Sequence, residues 1–378
     1  QIAILFLRYF RPALVSVDYK IKIHHKAENK KIYISIGINV GFAIRDFVYG
    51  NDVYSFKPGA LLFLAKYKEE FAKEFYNKKI NISVYASQTI FSFISSSKKL
   101  IGDIDIFEKI KSKVPSREEF PELFKQFKLD YTNNFSDEVK EEIIYSEFLH
   151  YHKRFSMDNF HKSIESLTFE DVEEVQKYLF QKIRYKVYIY GNVEERIEDI
   201  QAWSVNGCSE FINPIILPLT DEEVVWKGIE LNGISDRRSY LMHTNLFQIP
   251  IADAYLTYQI LSQWYSDKKI QITIDSIEMG AILPNTDNIE DFKLDLASIQ
   301  LFKDNILRQY EYLSGRKQLF YSEYFMKLWL AGLDYLDFYL YLQKISSEEI
   351  EDKMSTVLKV SQFCKVELSK QNMEIIDE

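Results

Sequence analysis

Glu147-x-x-His150, with His152 two residues further on, is the arrangement most capable of chemistry by itself. Glu and His at i, i+3 share one helix face and can hold a metal ion together, as in carboxylate-bridged metal bundles. Such a site needs a second copy of the motif on another helix, and none is evident, so the plainer expectation is a solvated helix face. His24-His25 precedes the Lys-rich stretch 26–31. Neighbouring residues of a strand point to opposite faces, so the two imidazoles do not readily share an ion, and a solvated hairpin is expected. His161 and His243 are isolated. Asp236-Arg237-Arg238 reads as a charged turn, with an anchor for a peptide carboxylate as the alternative. No Gly-x-Ser-x-Gly and no Gly-x-Gly occurs, which removes the serine-hydrolase elbow and the dinucleotide fingerprint. The two cysteines, Cys208 and Cys364, are far apart. They suggest neither a disulfide framework nor a thiolate zinc site, and a reducing, cytoplasmic setting is expected.

These side chains must be positioned by a mixture of strands and helices. Lys31 to Val40, Ile80 to Ile94 and Arg184 to Tyr190 carry the alternation or β-branched and aromatic content of strands. Gly59 to Tyr76, Asp137 to Arg154 and Phe169 to Phe180 have helical periodicity, and the second of these carries Glu147 and His150. Thr168 to Asp171 has capping-box spacing and opens a helix that leads into the strand Arg184 to Tyr190. Ser346 to Glu349 has the same spacing and opens a helix that leads into Gln362 to Leu368, about half a chain later. The pattern predicts two related α+β halves, at 1–200 and 219–378, joined by a linker at 201–218 that holds Gly207, Pro214 and Pro218. Tyr335 to Tyr341 is dense in aromatics. A buried helix face is one expectation. The other is a partner surface built on Tyr335, Phe338, Tyr339 and Tyr341, since clustered aromatics anchor interfaces.

Composition narrows the function. The chain has 378 residues, 47% hydrophobic and 27% charged, the balance of a globular protein rather than a disordered one. Only 12 Gly and 8 Pro stand against 26 Tyr and 28 Phe, which argues against glycine-rich nucleotide folds and for a core rich in aromatic and β-branched residues. A net charge of −9 without a basic stripe argues against nucleic-acid binding. No apolar run approaches the roughly 18 residues that a membrane span requires, so no span is expected.

Four segments carry a resemblance. They are Ile36 to Asp46, Pro58 to Lys66, Asn81 to Thr89, and Ser166 to Val172 followed by Val187 to Val193. In this order they resemble the pitrilysin/insulinase-like metallopeptidases, especially the bacterial branch similar to mitochondrial processing peptidase. The resemblance implies two homologous α/β sandwich domains, each an antiparallel-rich sheet with helices packed on it, in a clamshell around an unfolded peptide. In active members two His four apart on a helix bind zinc, and the Glu beside the second activates water. Carried onto this chain, those positions are Leu62, Ala65 and Lys66. Leu and Ala offer no donor, and a Lys ammonium repels a cation. Glu142 stands where the distal carboxylate ligand is expected. The family's substrate-binding Arg and Tyr have no counterpart at that spacing in Leu261 to Leu283, which offers Tyr265, Lys268 and Lys269 instead.

The resemblance therefore implies a catalytically inactive subunit without a cofactor of its own. It would pair with an active, zinc-bearing paralogue to enclose an unfolded peptide, such as a bacteriocin or pheromone precursor. Two alternatives stay open: an active metallopeptidase with a displaced site at Glu142, Glu147 and His150, and a purely structural or peptide-binding protein.

Overall fold

The computed structural model describes residues 4–5, 14–17, 21–27, 29–42, 46–49, 52–85, 87–133, 162–182, 185–205, 213–214, 229–230, 237–246, 248–265, 272–274, 278–284, 294–313 and 318–369. The chain forms two compact units, Gln1–Leu219 with Lys317–Leu330, and Thr220–Arg316 with Ala331–Glu378. Among the described residues, the helices of seven residues or more are α1 (Pro58–Tyr76), α2 (Leu100–Ser112), α3 (Phe120–Asn133), α4 (Phe169–Val175), α5 (Ile197–Val205), α6 (Ile251–Trp264), α7 (Leu296–Leu313), α8 (Gln318–Ala331), α9 (Tyr335–Lys344) and α10 (Ser347–Val360). None of them is long and apolar enough to cross a membrane.

The first unit is built on the strands β1 (Ile4–Leu5), β2 (Leu14–Val17), β3 (Ile21–His25), β4 (Ile32–Ile38), β7 (Ile80–Val84), β8 (Thr89–Ser95) and β9 (Lys186–Gly191). They form one sheet in the order β1-β2-β3-β9-β4-β8-β7. Only the β3–β9 pairing is parallel. A small second sheet joins β5 (Asp46–Tyr49), β6 (Asp52–Ser55) and β10 (Asn213–Pro214). The stretch Ile80 to Ile94, expected as a strand, is a hairpin: the chain turns where the Tyr85 N–H donates to the Gln88 carbonyl at 2.7 Å. The expected helix from Phe169 to Phe180 is also divided, with α4 giving way to a π-helical turn over Gln176–Lys182.

Alternation along β4 predicts one buried face, yet all seven of its residues are buried. Ile32, Ile34, Ile36 and Ile38 join one apolar cluster with Leu61, Leu64, Phe91, Phe107 and Val172. The opposite face is covered by α8, which arrives from far along the chain and belongs to the first unit through Leu330. Ser35 donates to Ser322 at 2.9 Å, and Gly37 lies so close that an added Cβ would stand 2.6 Å from Leu330 and 2.9 Å from Met326. Tyr85 donates to Glu323 at 2.6 Å, and Tyr188 meets Phe325 edge-on. The C-terminal carbonyls of a helix lack partners within it. Here two side chains of the first unit supply such partners, Lys186 donating to Trp329 O and Asn39 to Leu330 O, both at 2.9 Å, and Gln88 adds a bond to Lys327 O at 3.1 Å.

The second unit has the strands β11 (Ile229–Glu230), β12 (Arg237–Asn245), β13 (Ile272–Ile274), β14 (Glu278–Pro284) and β15 (Gln362–Ser369), in the order β11-β15-β12-β14-β13. This repeats β3-β9-β4-β8-β7 of the first unit strand for strand. The sense of each pairing is the same, with one parallel pair (β11–β15) and three antiparallel ones. Both capping boxes are formed, by Thr168 with Asp171 and by Ser346 with Glu349, and each opens the helix that precedes the equivalent strand, β9 or β15. The two halves thus share one topology. The core of the second half is tied by the fully buried Tyr258, whose hydroxyl reaches Met242 O and Met279 O at 3.3 and 2.9 Å.

Lys68 of α1 fixes the first unit's helical layer. It is fully buried, and its ammonium donates to the carbonyls of Ile110, Lys111 and Lys113 at the end of α2 and to Gln176 Oε1 at 2.7 Å. It also lies 4.6 Å above the Phe180 ring. Burial first, and Lys111 second, hold its pKa well below the ordinary lysine value. Gln176 reaches it from the π-helical turn, and its own amide donates to Lys111 O at 3.0 Å. Replacing Lys68 by Met removes the one donor that Lys113 O, Gln176 Oε1 and the end of α2 share, and the unfolding free energy in a urea titration falls by about 3 kcal/mol. The same change at the exposed Lys66, two residues earlier, shifts it by less than about 0.5 kcal/mol.

Candidate functional site

The first helix and the sheet edge beside it carry the candidate site. α1 begins with Pro58 in its first turn, where a missing N–H costs nothing. At Gly59 the backbone approaches 162–165 so closely that an added Cβ would stand 2.9 Å from Ile164 Cα and from Ser163 O. Lys57 anchors the same end by donating to Asp171 at 2.9 Å and to Ser166 O at 2.8 Å. The helix is thereby fixed at its start, and its apolar face buries Ala60, Leu61, Leu64 and Ala65.

Leu62, Lys66, Glu69, Glu70 and Lys73 recur at three- and four-residue spacing along one stripe. Leu62 is half-buried against the core, Ala65 is buried, and Lys66 is exposed with its ammonium 3.3 Å from Glu70. A methyl, an isobutyl and an ammonium group do not fit a zinc ion: two have no lone pair, and the third is a cation at neutral pH. Among the described residues, no group of three or more His, Cys, Asp or Glu could hold a metal. Glu142, Glu147 and His150 lie outside the described residues.

Glu69 was not singled out by motif, but the structure makes it the most engaged residue of the stripe. Among the described residues β7 is the terminal strand of the sheet, and the Ile82 N–H donates to Glu69 Oε1 at 2.5 Å. Burial is the main reason its carboxyl pKa is raised, while the Ile82 hydrogen bond acts in the opposite direction. Helical spacing from Lys66 could have placed Glu69 on the stripe. Nothing in the sequence says that a strand edge lies beside it.

The other candidates fall elsewhere. His24 and His25 do not form a solvated hairpin, because β9 inserts between β3 and β4. His24 is 7% exposed, 3.3 Å from the Tyr188 hydroxyl and edge-on to Tyr190. Its pKa is pushed down to about 4 by burial first, then by Lys26 and His25. His25 faces the other way, accepting from Val193 N at 3.3 Å. Arg237 and Arg238 open β12 rather than forming a turn, and Asp236 lies outside the described residues. Phe338 is 1% exposed against Tyr255 and Tyr310, so it is core of the second unit and not open to a partner. Tyr335 stacks on Tyr310 at 4.7 Å, Tyr339 lies near the same ring, and Tyr341 donates to Asp253 at 2.6 Å. Tyr265 ends α6, half-buried, whereas Lys268 and Lys269 lie outside the described residues.

No family model matches the sequence, and no curated protein does. Solved structures do match. A chain from Alicyclobacillus acidocaldarius assigned to the M16-like peptidases superposes with a TM-score of 0.69 at 10% identity, covering 98% of each chain. The periplasmic protease PqqL from Escherichia coli gives 0.64 at 9% identity, over 96% of this chain and 49% of that one. A peptidase M16 inactive domain from Pseudomonas fluorescens gives 0.58 at 12%, over 92% and 95%. The chain thus has the α+β fold of the M16-like peptidases, pitrilysin among them.

Two measurements check this site. The buried His24 resists protonation, so stability is complete above pH 6.5 and falls toward pH 4 as the unfolded chain alone takes up the proton. The slope is about 1.4 kcal/mol per pH unit within that window, and a His24→Gln variant lacks this component. The double variant Leu62→His/Lys66→His places two imidazoles at i, i+4 and gains a zinc-dependent rise in melting temperature that Leu62→Ala/Lys66→Ala does not show.

Proposed function

We propose that this chain is a non-catalytic subunit of a two-chain peptidase. It pairs with a zinc-bearing paralogue that supplies metal and general base, while this chain helps to enclose an unfolded peptide. The observation that carries the proposal is helix α1 on a peptidase-like fold: Leu62, Ala65 and Lys66 stand where the resemblance puts two zinc ligands and a base, and none of them can do that chemistry. The solved M16 inactive domain supports it, because this fold exists without activity. The length relation to PqqL supports the pairing, because this chain spans about half of that protease and leaves room for a second half of similar size.

The zinc then resides in the partner, and this chain needs no cofactor. Its substrate is an extended peptide, with a ribosomally made bacteriocin or pheromone precursor as the expected class. The terminal strand β7 offers a backbone edge to such a peptide. Two unclustered cysteines fit a cytoplasmic setting.

The test is reconstitution. The chain is purified with and without a zinc-bearing paralogue, and subunit mass, bound zinc and peptide cleavage are measured. The expected result is a heterodimer that holds zinc through the paralogue and cleaves peptide only when both chains are present. Absence of a complex, with cleavage by the paralogue unchanged, overturns the proposal.

A further inference from the structure

We propose that Glu69 is a built-in plug for the sheet edge at β7, its carboxylate taking the place that a carbonyl of an incoming peptide strand would occupy. The inference rests on the peptide-binding reading above and adds a regulator to it. Among the described residues, β7 ends the seven-stranded sheet and is paired on one side only, with β8. In an antiparallel pair, residues alternate between bonding the neighbour and pointing their backbone groups away from it. Ile82 stands opposite Phe91, and its N–H goes to Glu69 instead of β8. By the same alternation Ile80 and Val84 present their backbone groups to the outer edge. Ile82 is the middle of these three positions, so an added strand must bond there to keep its register.

The plug is matched to its task. The carboxylate is held by a residue one turn beyond Lys66 on a helix fixed at its start by Lys57 and Asp171. It gives a backbone donor the charged acceptor that makes a strong hydrogen bond. Open edges invite strand addition, and covering them is a standard protection. This cover is a single side chain with rotatable bonds, so it can leave. When a peptide carbonyl replaces it, Ile82 keeps a hydrogen bond and Glu69 recovers its hydration in water. The edge is therefore closed at rest and opens to a strand that makes bonds on both sides of Ile82.

The experiment uses the full chain and a fluorescein-labelled extended peptide, Ser-Thr-Val-Thr-Val-Thr-Ser, followed by fluorescence polarisation. Glu69→Ala binds it about tenfold more tightly than the unmodified chain, the factor for losing one hydrogen bond to a charged group. Equal affinity in both proteins overturns the plug and leaves the peptide-binding reading intact. Binding by neither protein overturns both. Amide hydrogen exchange supplies an arm that needs no peptide: Ile82 exchanges faster in Glu69→Ala while the other β7 amides do not, and unchanged exchange at Ile82 overturns the plug. The variant truncates a half-buried side chain, and thermal unfolding of Glu69→Ala checks that the fold is kept.

Discussion

The first unit depends on α8 lying across the second face of its sheet. Without that helix, β4 would expose Tyr33, Ser35 and Gly37, and the strand would be buried on one face only. With it, the sheet is a middle layer. The helix is held by apolar contact at Gly37 and, more specifically, by Gln88, Lys186 and Asn39, which bond the carbonyls at its C-terminal end. Those three donors come from or beside β8, β9 and β4, strands far apart in the sequence of the first unit. The seat of the helix is therefore built from contacts distant in sequence, which couples it to the assembled sheet.

Much of this architecture is legible in the sequence. The two capping boxes form, and they locate equivalent helices in halves whose strand orders and pairing senses agree. Period-2 alternation located β4 and β9, and helical spacing located α1 to within a residue. What the sequence could not show was long-range. Gly37 and Ser35 look like ordinary outward-facing strand residues until Met326 and Ser322 are placed against them. His24 looked solvated beside the Lys-rich stretch 26–31, yet a strand more than 160 residues later pairs with it and buries it beneath Tyr188 and Tyr190. The Tyr335 to Tyr341 segment illustrates the same limit: aromatic density alone cannot distinguish an interface from a core, and Tyr255 and Tyr310 bury Phe338 while Tyr335, Tyr339 and Tyr341 are half-buried.

The candidate site was legible in one sense only. Residue chemistry showed that Leu62, Ala65 and Lys66 are not metal ligands. It did not show what the stripe does instead. Lys68, two residues beyond Lys66, looks like another surface lysine, but it is the buried donor that closes the end of α2. Glu69 looks like one more acidic residue of a charged helix, but it occupies the free donor of the sheet edge. Within α1, Lys68 and Glu69 bond other parts of the first unit, and Lys66 pairs with Glu70.

The central claim is that this chain performs no metal chemistry of its own. The most direct measurement is the zinc content of the purified full chain after equilibration with zinc and desalting. The account predicts that no zinc is retained and that no peptide is cleaved by the chain alone. Near-stoichiometric zinc that is lost in Glu147→Ala or His150→Ala would contradict it and would identify a displaced, active metal site.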